Sequence, residues 1–394
     1  MMKADSKLLR QPTLPRPSWW VKLWSLLLNG VIYGLLFWLL AQTRSSSFQF
    51  HILRTRDVGL LGGFWRLVTA VTLSLFLTTL IHELGHLLAG KLARLRFHLL
   101  IVGPLCLSRK GEKLHLGWHK SAAIFNGLTG SIPDDSRNLP RRLLVFTLGG
   151  PLANLVQALL AGTLFWRWRA DVYFINNITW AAEGAALLAI FGTIYFLSSI
   201  KPGSYYSGQP ADGGRIVSLL RGGPAADRWC ALAALYGADQ RGQRPRDWDE
   251  ALIHQALQGF DHTQDGQNAR LLAYQWALDN GRIAEANRWL EEAIAIRPTW
   301  MPGTQVRLVW EKVYFSARYL HDAVPARQGL AQIRQNVANQ PQHLRAEAAV
   351  LLAEGQIARA QTTAQAALAS LSTQMPTGVQ QAEAAWLQAI INQV

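Results

Sequence analysis

Residues 64–90 read FWRLVTAVTLSLFLTTLIHELGHLLAG. The run is nearly all apolar. At about 1.5 Å rise per residue it is long enough, as a helix, to cross a bilayer core of about 30 Å. Near its C-terminal end stands His82-Glu83-Leu84-Gly85-His86. Residues four apart share a helix face, so His82 and His86 can point at one metal ion. Glu83 sits beside them, placed to take a proton from a metal-bound water. A carboxylate inside a membrane helix costs about 2.5–3.5 kcal/mol on insertion scales, and a charge kept at that cost has a partner or a task. Taken alone, His-Glu-x-x-His also arises by chance, so the remainder of the chain has to decide.

Three further apolar runs predict spans: Trp24–Ala41 before it, and Leu143–Trp166 and Trp180–Ile200 after it. Residues 1–23 form a basic arm with Lys3, Lys7, Arg10, Arg16 and Lys22. The run after this arm is longer than a signal-peptide core, and no small-x-small cleavage site follows closely, so it reads as a retained helix. Glu183, in the last run, is expected near the outer interface. Basic residues crowd the arm and the 91–142 loop, with only Arg44, Arg54 and Arg56 in the 42–63 loop and Arg167 and Arg169 in the 166–179 loop. By the positive-inside rule this predicts four crossings with both termini in the cytoplasm. The His82–His86 end of one span and the approach to Asp212 then fall on the same side.

Composition agrees with a membrane part joined to something soluble. Half the residues are hydrophobic, 16% are charged, and there are 16 Trp. The net charge of +14 would suit nucleic acid, but no helix-turn-helix, RNP or zinc-finger pattern supports that, and cytoplasmic loops explain the excess. Cys106 and Cys230 are the only cysteines. Their separation predicts free thiols in a reducing compartment.

A catalytic zinc keeps three protein ligands and an open position, and the histidines supply two. Asp212, within Pro210-Ala211-Asp212-Gly213-Gly214-Arg215-Ile216, is the candidate for the third, and Gly213 and Gly214 permit close backbone packing. Asp212 equally reads as a helix N-cap. Asn154, in Gly149-Gly150-Pro151-Leu152-Ala153-Asn154, reads equally as an interhelical hydrogen-bonding group. In the 91–142 loop, Arg96–Gly103 and Lys113–Trp118 predict a hairpin turning at Arg109-Lys110-Gly111, at the membrane surface.

His82-Glu83-x-x-His86, then Gly-Pro-x-x-Asn154, then Asp212-Gly, each in or beside a membrane-grade run, resemble the site-2 protease family of intramembrane zinc metalloproteases. The resemblance covers about residues 24–220. It implies one Zn2+ per chain held by His82, His86 and Asp212, with Glu83 as general base. It also implies Asn154 as a catalytic residue that helps to hold substrate or the oxyanion, and a strand near the site that pairs with an unwound substrate segment. The implied protein is multi-pass in a cell membrane, such as the bacterial inner membrane. It would be an endopeptidase that cuts transmembrane or membrane-proximal segments of other membrane proteins. Ser199-Ile200-Lys201-Pro202 stands where many members carry Asn before Pro. A catalytically idle scaffold and a metal transporter are the competing functions.

From about residue 225 the chain turns soluble in character. Gly281, Ala286, Ala293 and Pro298 fall where a tetratricopeptide repeat places a helix end, two small contact residues and a second helix end, and Gly355, Ala360 and Ala367 repeat the first three. The 272–298 stretch resembles that repeat, with a degenerate unit expected around residues 319–341. The expected plan is therefore an all-α polytopic membrane protein with a small β-hairpin and an α-helical repeat-like tail: an arm at 1–23, a membrane metalloprotease domain at 24–224 and a soluble helical domain at 225–394. The expected partners are a substrate membrane protein, the bilayer and a protein bound by the tail, with no nucleic acid.

Overall fold

The computed structural model describes residues 59–110, 113–118, 127–171, 179–203, 210–259, 263–296, 302–331, 340–371 and 376–393. Apart from single positions at 23, 30 and 34, the arm and the predicted first span lie outside the described residues, and so do residues 204–209 before Asp212.

Three described helices are long and apolar enough to cross a membrane: α1 (Gly59–Leu92), α2 (Leu139–Asp171) and α3 (Thr179–Ser199). Their apolar cores, Phe64–Leu92, Leu139–Trp168 and Ala181–Ser199, match three of the predicted runs within a few residues and make the protein multi-pass. Small residues let the spans approach. A Cβ added at Gly85 would overlap the Gly149 carbonyl, and one at Gly149 would overlap that of Gly85, so α1 and α2 cross with backbones in contact. Polar side chains then tie the three together. Gln157 on α2 donates to Thr78 Oγ1 (2.9 Å) and to the Leu188 carbonyl of α3 (2.9 Å), and Thr79 meets the Tyr195 hydroxyl at 3.0 Å. Glu183 lies in the first turns of α3, far along that helix from Asp212, and is fully buried.

Between α1 and α2 the chain forms a four-stranded antiparallel sheet: β1 (Leu95–Val102), β2 (Leu105–Lys110), β3 (Lys113–Trp118) and β4 (Gly127–Pro133), in spatial order β3-β2-β1-β4. Arg94, with φ of 57°, turns the chain straight from the end of α1 into β1. Arg142 secures that corner, donating to the carbonyls of Ala93 (2.9 Å) and Arg94 (2.6 Å) and to Asp135 (2.7 Å). A guanidinium at a helix C-terminus complements its free carbonyls and dipole. The predicted hairpin is corrected here. β1 and β3 are not neighbours, because Leu105–Lys110 is itself a strand between them, and β1 pairs with β4 on its other side. Leu114, Leu116 and Trp118 share one face of β3 and are exposed.

The rest of the chain is helical: α4 (Asp212–Arg221), α5 (Pro224–Gln240), a 3-10 turn at Pro245–Asp247, α6 (Glu250–Leu257), α7 (Gln264–Asp279), α8 (Ile283–Ala295), α9 (Pro302–Tyr319), α10 (Ala323–Ala331), α11 (Pro341–Ala353), α12 (Ile357–Ser370) and α13 (Gly378–Ile391). From α6 onward they pack as successive antiparallel pairs, a bundle resembling a helical-repeat domain. The two turns singled out in the sequence are alike. Gly281 (φ 72°) and Gly355 (φ 76°) end α7 and α11 in the left-handed conformation. Arg282 then donates to the Ala277 carbonyl at 2.8 Å as Gln356 does to that of Leu351 at 2.9 Å. Ala286, Ala293, Ala360 and Ala367 are all fully buried. Between them His321 (φ 54°) also holds the left-handed conformation, with the buried Ala326 five residues on; residues 332–339 of the range expected for a degenerate unit lie outside the described residues.

This arc closes on itself. Val379 at the start of α13 donates to Asp239 at the end of α5 (2.8 Å), and Gln381 donates to the Gly242 carbonyl (2.9 Å). The inner helices α7, α9, α11 and α13 therefore fill the space that an open repeat array would leave as a groove. α5 belongs to two cores. Its Ala231, Leu232 and Leu235 pack with the bundle, while Ala226, Cys230 and Ala234 pack with Leu95, Leu139, Leu143 and Leu219 beside the spans. Cys106 and Cys230 are both free.

Candidate metal centre

His82 and His86 are one turn apart on α1, on the face that meets α2 and α4. Asp212 is the first residue of α4. Ala211, not Asp212, occupies the N-cap position, with no side-chain cap, so the capping reading of Asp212 does not hold. The start of α4 is pressed onto the exit from α3. A Cβ at Gly213 would overlap the Ile200 carbonyl, one at Gly214 would overlap that of Gly203, and Ala211 donates to the Gly203 carbonyl at 3.0 Å. These contacts explain the paired glycines and bring Asp212 across to α1.

Three acceptor atoms then converge. His82 Nε2 and His86 Nε2 are 3.1 Å apart, and Asp212 Oδ2 is 3.2 Å from the first and 3.5 Å from the second. Ligands 2.0–2.1 Å from a tetrahedral zinc are separated from one another by about 3.3 Å. The triangle therefore has the edge lengths of one face of such a site. All three residues are largely buried, with Asp212 the most open at 22% side-chain exposure.

The far sides of the imidazoles settle which nitrogen faces the triangle. His82 Nδ1 lies 2.6 Å from Asn154 Oδ1, and the Asn154 amide nitrogen is committed to the Thr78 carbonyl (3.2 Å) and to Gln157 Oε1 (3.2 Å). The amide oxygen can only accept, so His82 Nδ1 carries the proton. His86 Nδ1 lies 2.9 Å from the Phe146 carbonyl and 3.3 Å from the Gly150 N–H. The carbonyl contact is shorter and can only be an acceptor, so this Nδ1 is also the protonated one. In the neutral imidazoles both Nε2 atoms are then left as lone pairs aimed at each other and at the Asp212 carboxylate. Three lone pairs in that space need a cation between them, and the donor set of two imidazoles and one carboxylate suits zinc. Orientation of each ligating His by an acceptor on its other nitrogen is the usual outer shell of such sites.

Glu83 is buried against the sheet. Thr129 of β4 donates to Glu83 Oε2 at 2.6 Å and to the Glu83 carbonyl at 3.1 Å. A Cβ at Gly127 would overlap Glu83 Oε1. On the opposite wall, a Cβ at Gly150 would overlap His86 Nε2 and stand 2.7 Å from His82 Nε2. Both positions exclude any side chain from the reacting space.

His82, His86 and Asp212 are thus brought together, with Asn154 behind His82 rather than beside the triangle. The sequence reading missed Gly127 and Thr129, because β4 reads as a Gly- and Ser-rich loop. It quoted Gly150 without giving it a role. His98 and His115 lie in the sheet, and neither joins the metal-ligating cluster found among the described residues. No family model matches the chain, and no curated protein or solved structure is significantly similar to it.

Proposed function

We propose that the protein is an intramembrane zinc endopeptidase of the site-2 protease type, cutting transmembrane or membrane-proximal segments of other membrane proteins. The observation that carries this reading is the face of three acceptor atoms at zinc-ligand spacing, with Glu83 next to the first ligand in the chain. His82, His86 and Asp212 hold the ion. When bound, zinc supplies Lewis-acid polarisation of the scissile carbonyl and lowers the pKa of water towards neutrality.

Glu83 takes the proton from the attacking water and later returns one to the leaving amine. Thr129 holds one of its carboxylate oxygens and so sets the direction of the other. Asn154 acts by orienting His82. A substrate helix hides its carbonyls in its own hydrogen bonds and must unwind before attack. β4 is an edge of the sheet among the described strands, it carries Gly127 and Thr129 to Glu83, and it offers the unwound segment a backbone to pair with. The site then works best on segments that unwind easily. The charge bias supports both termini on the cytoplasmic side. The division into a membrane part to about residue 224 and a helical part beyond it rests on where the apolar runs stop, and a protein partner would meet that helical part on its outer surface.

A transporter needs no general base, whereas Glu83 stands beside His82, His86 and Asp212; Glu183 is the one other acidic residue in a described span and lies far from them. The test is cleavage of a membrane-embedded reporter by full-length protein. Glu83→Gln is expected to keep one zinc and lose cleavage by about 10²–10⁴-fold, the worth of a general base. Wild-type rates in Glu83→Gln with equal zinc would remove the proteolytic reading.

A further inference from the structure

Asp212 is the only member of the triangle outside the spans. It sits on a helix of ten residues that packs mainly against α2 and also touches α5. On the membrane side α4 is held by backbone packing at Gly213 and Gly214 and by its buried Ile216 and Leu219, and its polar face is fixed by further contacts. Arg215, three residues along and close to the same face, supplies one. Its Nη2 donates to Asp265 Oδ1 at 2.9 Å, and its Nη1 pairs with Asp265 Oδ2, a two-pronged contact with both side chains less than one-fifth exposed. Its guanidinium also lies over the Trp229 ring, 4.5 Å from the centroid. Trp229 is on α5 and Asp265 is in the first turn of α7. Asp265 is itself placed by the cap of that helix, where Thr263 Oγ1 accepts from Gly266 N at 3.1 Å. A planar fork clamped to a carboxylate and stacked on a ring has one orientation.

The same side of the bundle also reaches β4. Arg241, just after α5, donates to the Pro133 carbonyl at 3.1 Å, and a Cβ at Gly237 would overlap that carbonyl. The two parts of the site outside the spans, the third ligand and the strand against Glu83, are therefore both braced by the C-terminal half.

We propose that Arg215 and Asp265 are positioning residues for Asp212, so that the C-terminal bundle forms part of the frame of the metal centre. This rests on the reading of His82, His86 and Asp212 as that centre. A ligand must be held to about 0.5 Å to keep its full contribution, and α4 has no other side-chain fork to do so. Release of the bundle from α4, by a partner or by truncation, would then weaken the metal before it touched the spans.

The experiment measures the zinc dissociation constant of the full chain in detergent by competition with a chelator. Arg215→Leu and Asp265→Asn are each expected to raise it about tenfold, at the lower end for outer-shell partners of metal ligands. Arg215→Lys, which keeps the charge but loses the fork, should fall between. The reciprocal swap of Arg215→Asp with Asp265→Arg should recover most of the loss. Arg327→Leu, which breaks an ion pair with Glu354 elsewhere in the bundle, should leave zinc binding unaltered. Unaltered binding in Arg215→Leu and Asp265→Asn, beside a clear loss in Asp212→Ala, would overturn the inference and leave the metal site standing. A loss that the swap fails to restore, with a lowered melting temperature of the bundle, would also overturn it. Unaltered binding in Asp212→Ala would remove the site reading and this inference with it.

Discussion

Two buried polar clusters lie in opposite halves of the chain, and they are built on opposite principles. In the C-terminal bundle, Arg345 of α11 is 1% exposed and reaches Glu311 of α9 at 2.6 Å and Glu383 of α13 at 3.7 Å. Tyr274 of α7 donates to Glu311 at 3.1 Å, and the Tyr314 ring lies 4.4 Å from the guanidinium. That cluster contains its own cation between its two carboxylates. The cluster at His82, His86 and Asp212 contains acceptors alone, each imidazole having spent its proton on an oxygen behind it. A cluster that carries its own cation ties four helices of a bundle. One that lacks a cation is arranged to receive one.

Breaking the self-contained cluster should give the largest effect. Arg345→Leu leaves two buried carboxylates without their cation, and removing one member of a buried ion pair costs about 3–5 kcal/mol. Urea unfolding followed by circular dichroism is expected to show the bundle weakened by that amount with zinc content unaltered. A change below about 1 kcal/mol would place Arg345 outside the core's stability.

The contrast is sharpened by Asn154, which belongs to the other cluster but touches no other ligand. Asn154→Ala takes away the acceptor that fixes the His82 tautomer. Zinc affinity should fall by about 10–100-fold, the range for outer-shell partners, with the spans still folded. Chelator competition measures it. Unaltered affinity with slowed cleavage would instead assign Asn154 to substrate or oxyanion, as the family resemblance implies.

A smaller effect is expected at His321, where the middle helical pair carries a side chain in the left-handed conformation that Gly281 and Gly355 adopt freely. That conformation costs about 1–2 kcal/mol for a residue with a Cβ, and part of the gain from glycine is returned as unfolded-chain entropy. His321→Gly should stabilise the bundle by up to about 1 kcal/mol in the same urea experiment. Destabilisation would mean that the imidazole contributes more than its backbone costs.

What could be read from the sequence followed from local rules. The i,i+4 spacing of His82 and His86, the length of the apolar runs and the glycine-to-alanine spacing of the helical pairs each depend on neighbours along one helix. The residues that escaped depend on contacts between distant segments. Gly127-Leu128-Thr129-Gly130-Ser131 has the composition of a loop and becomes a strand because β1 offers it a partner. Arg109 and Lys110, which read with Gly111 as a turn, extend β2 by pairing with Leu114 and Lys113 of β3. His321 hides the middle repeat because the glycine that marks the other two turns is missing. Arg215 stands next to the quoted Asp212-Gly213-Gly214, yet its partner Asp265 lies fifty residues on, with no periodicity to link them.

The central claim is that the three acceptor atoms were placed for a metal. Zinc content of the purified full chain tests it most directly, measured by elemental analysis for wild type and for His86→Ala shown to be folded by circular dichroism. The account predicts one zinc per chain in wild type and loss of it in His86→Ala. Full zinc in the folded His86→Ala protein would contradict it.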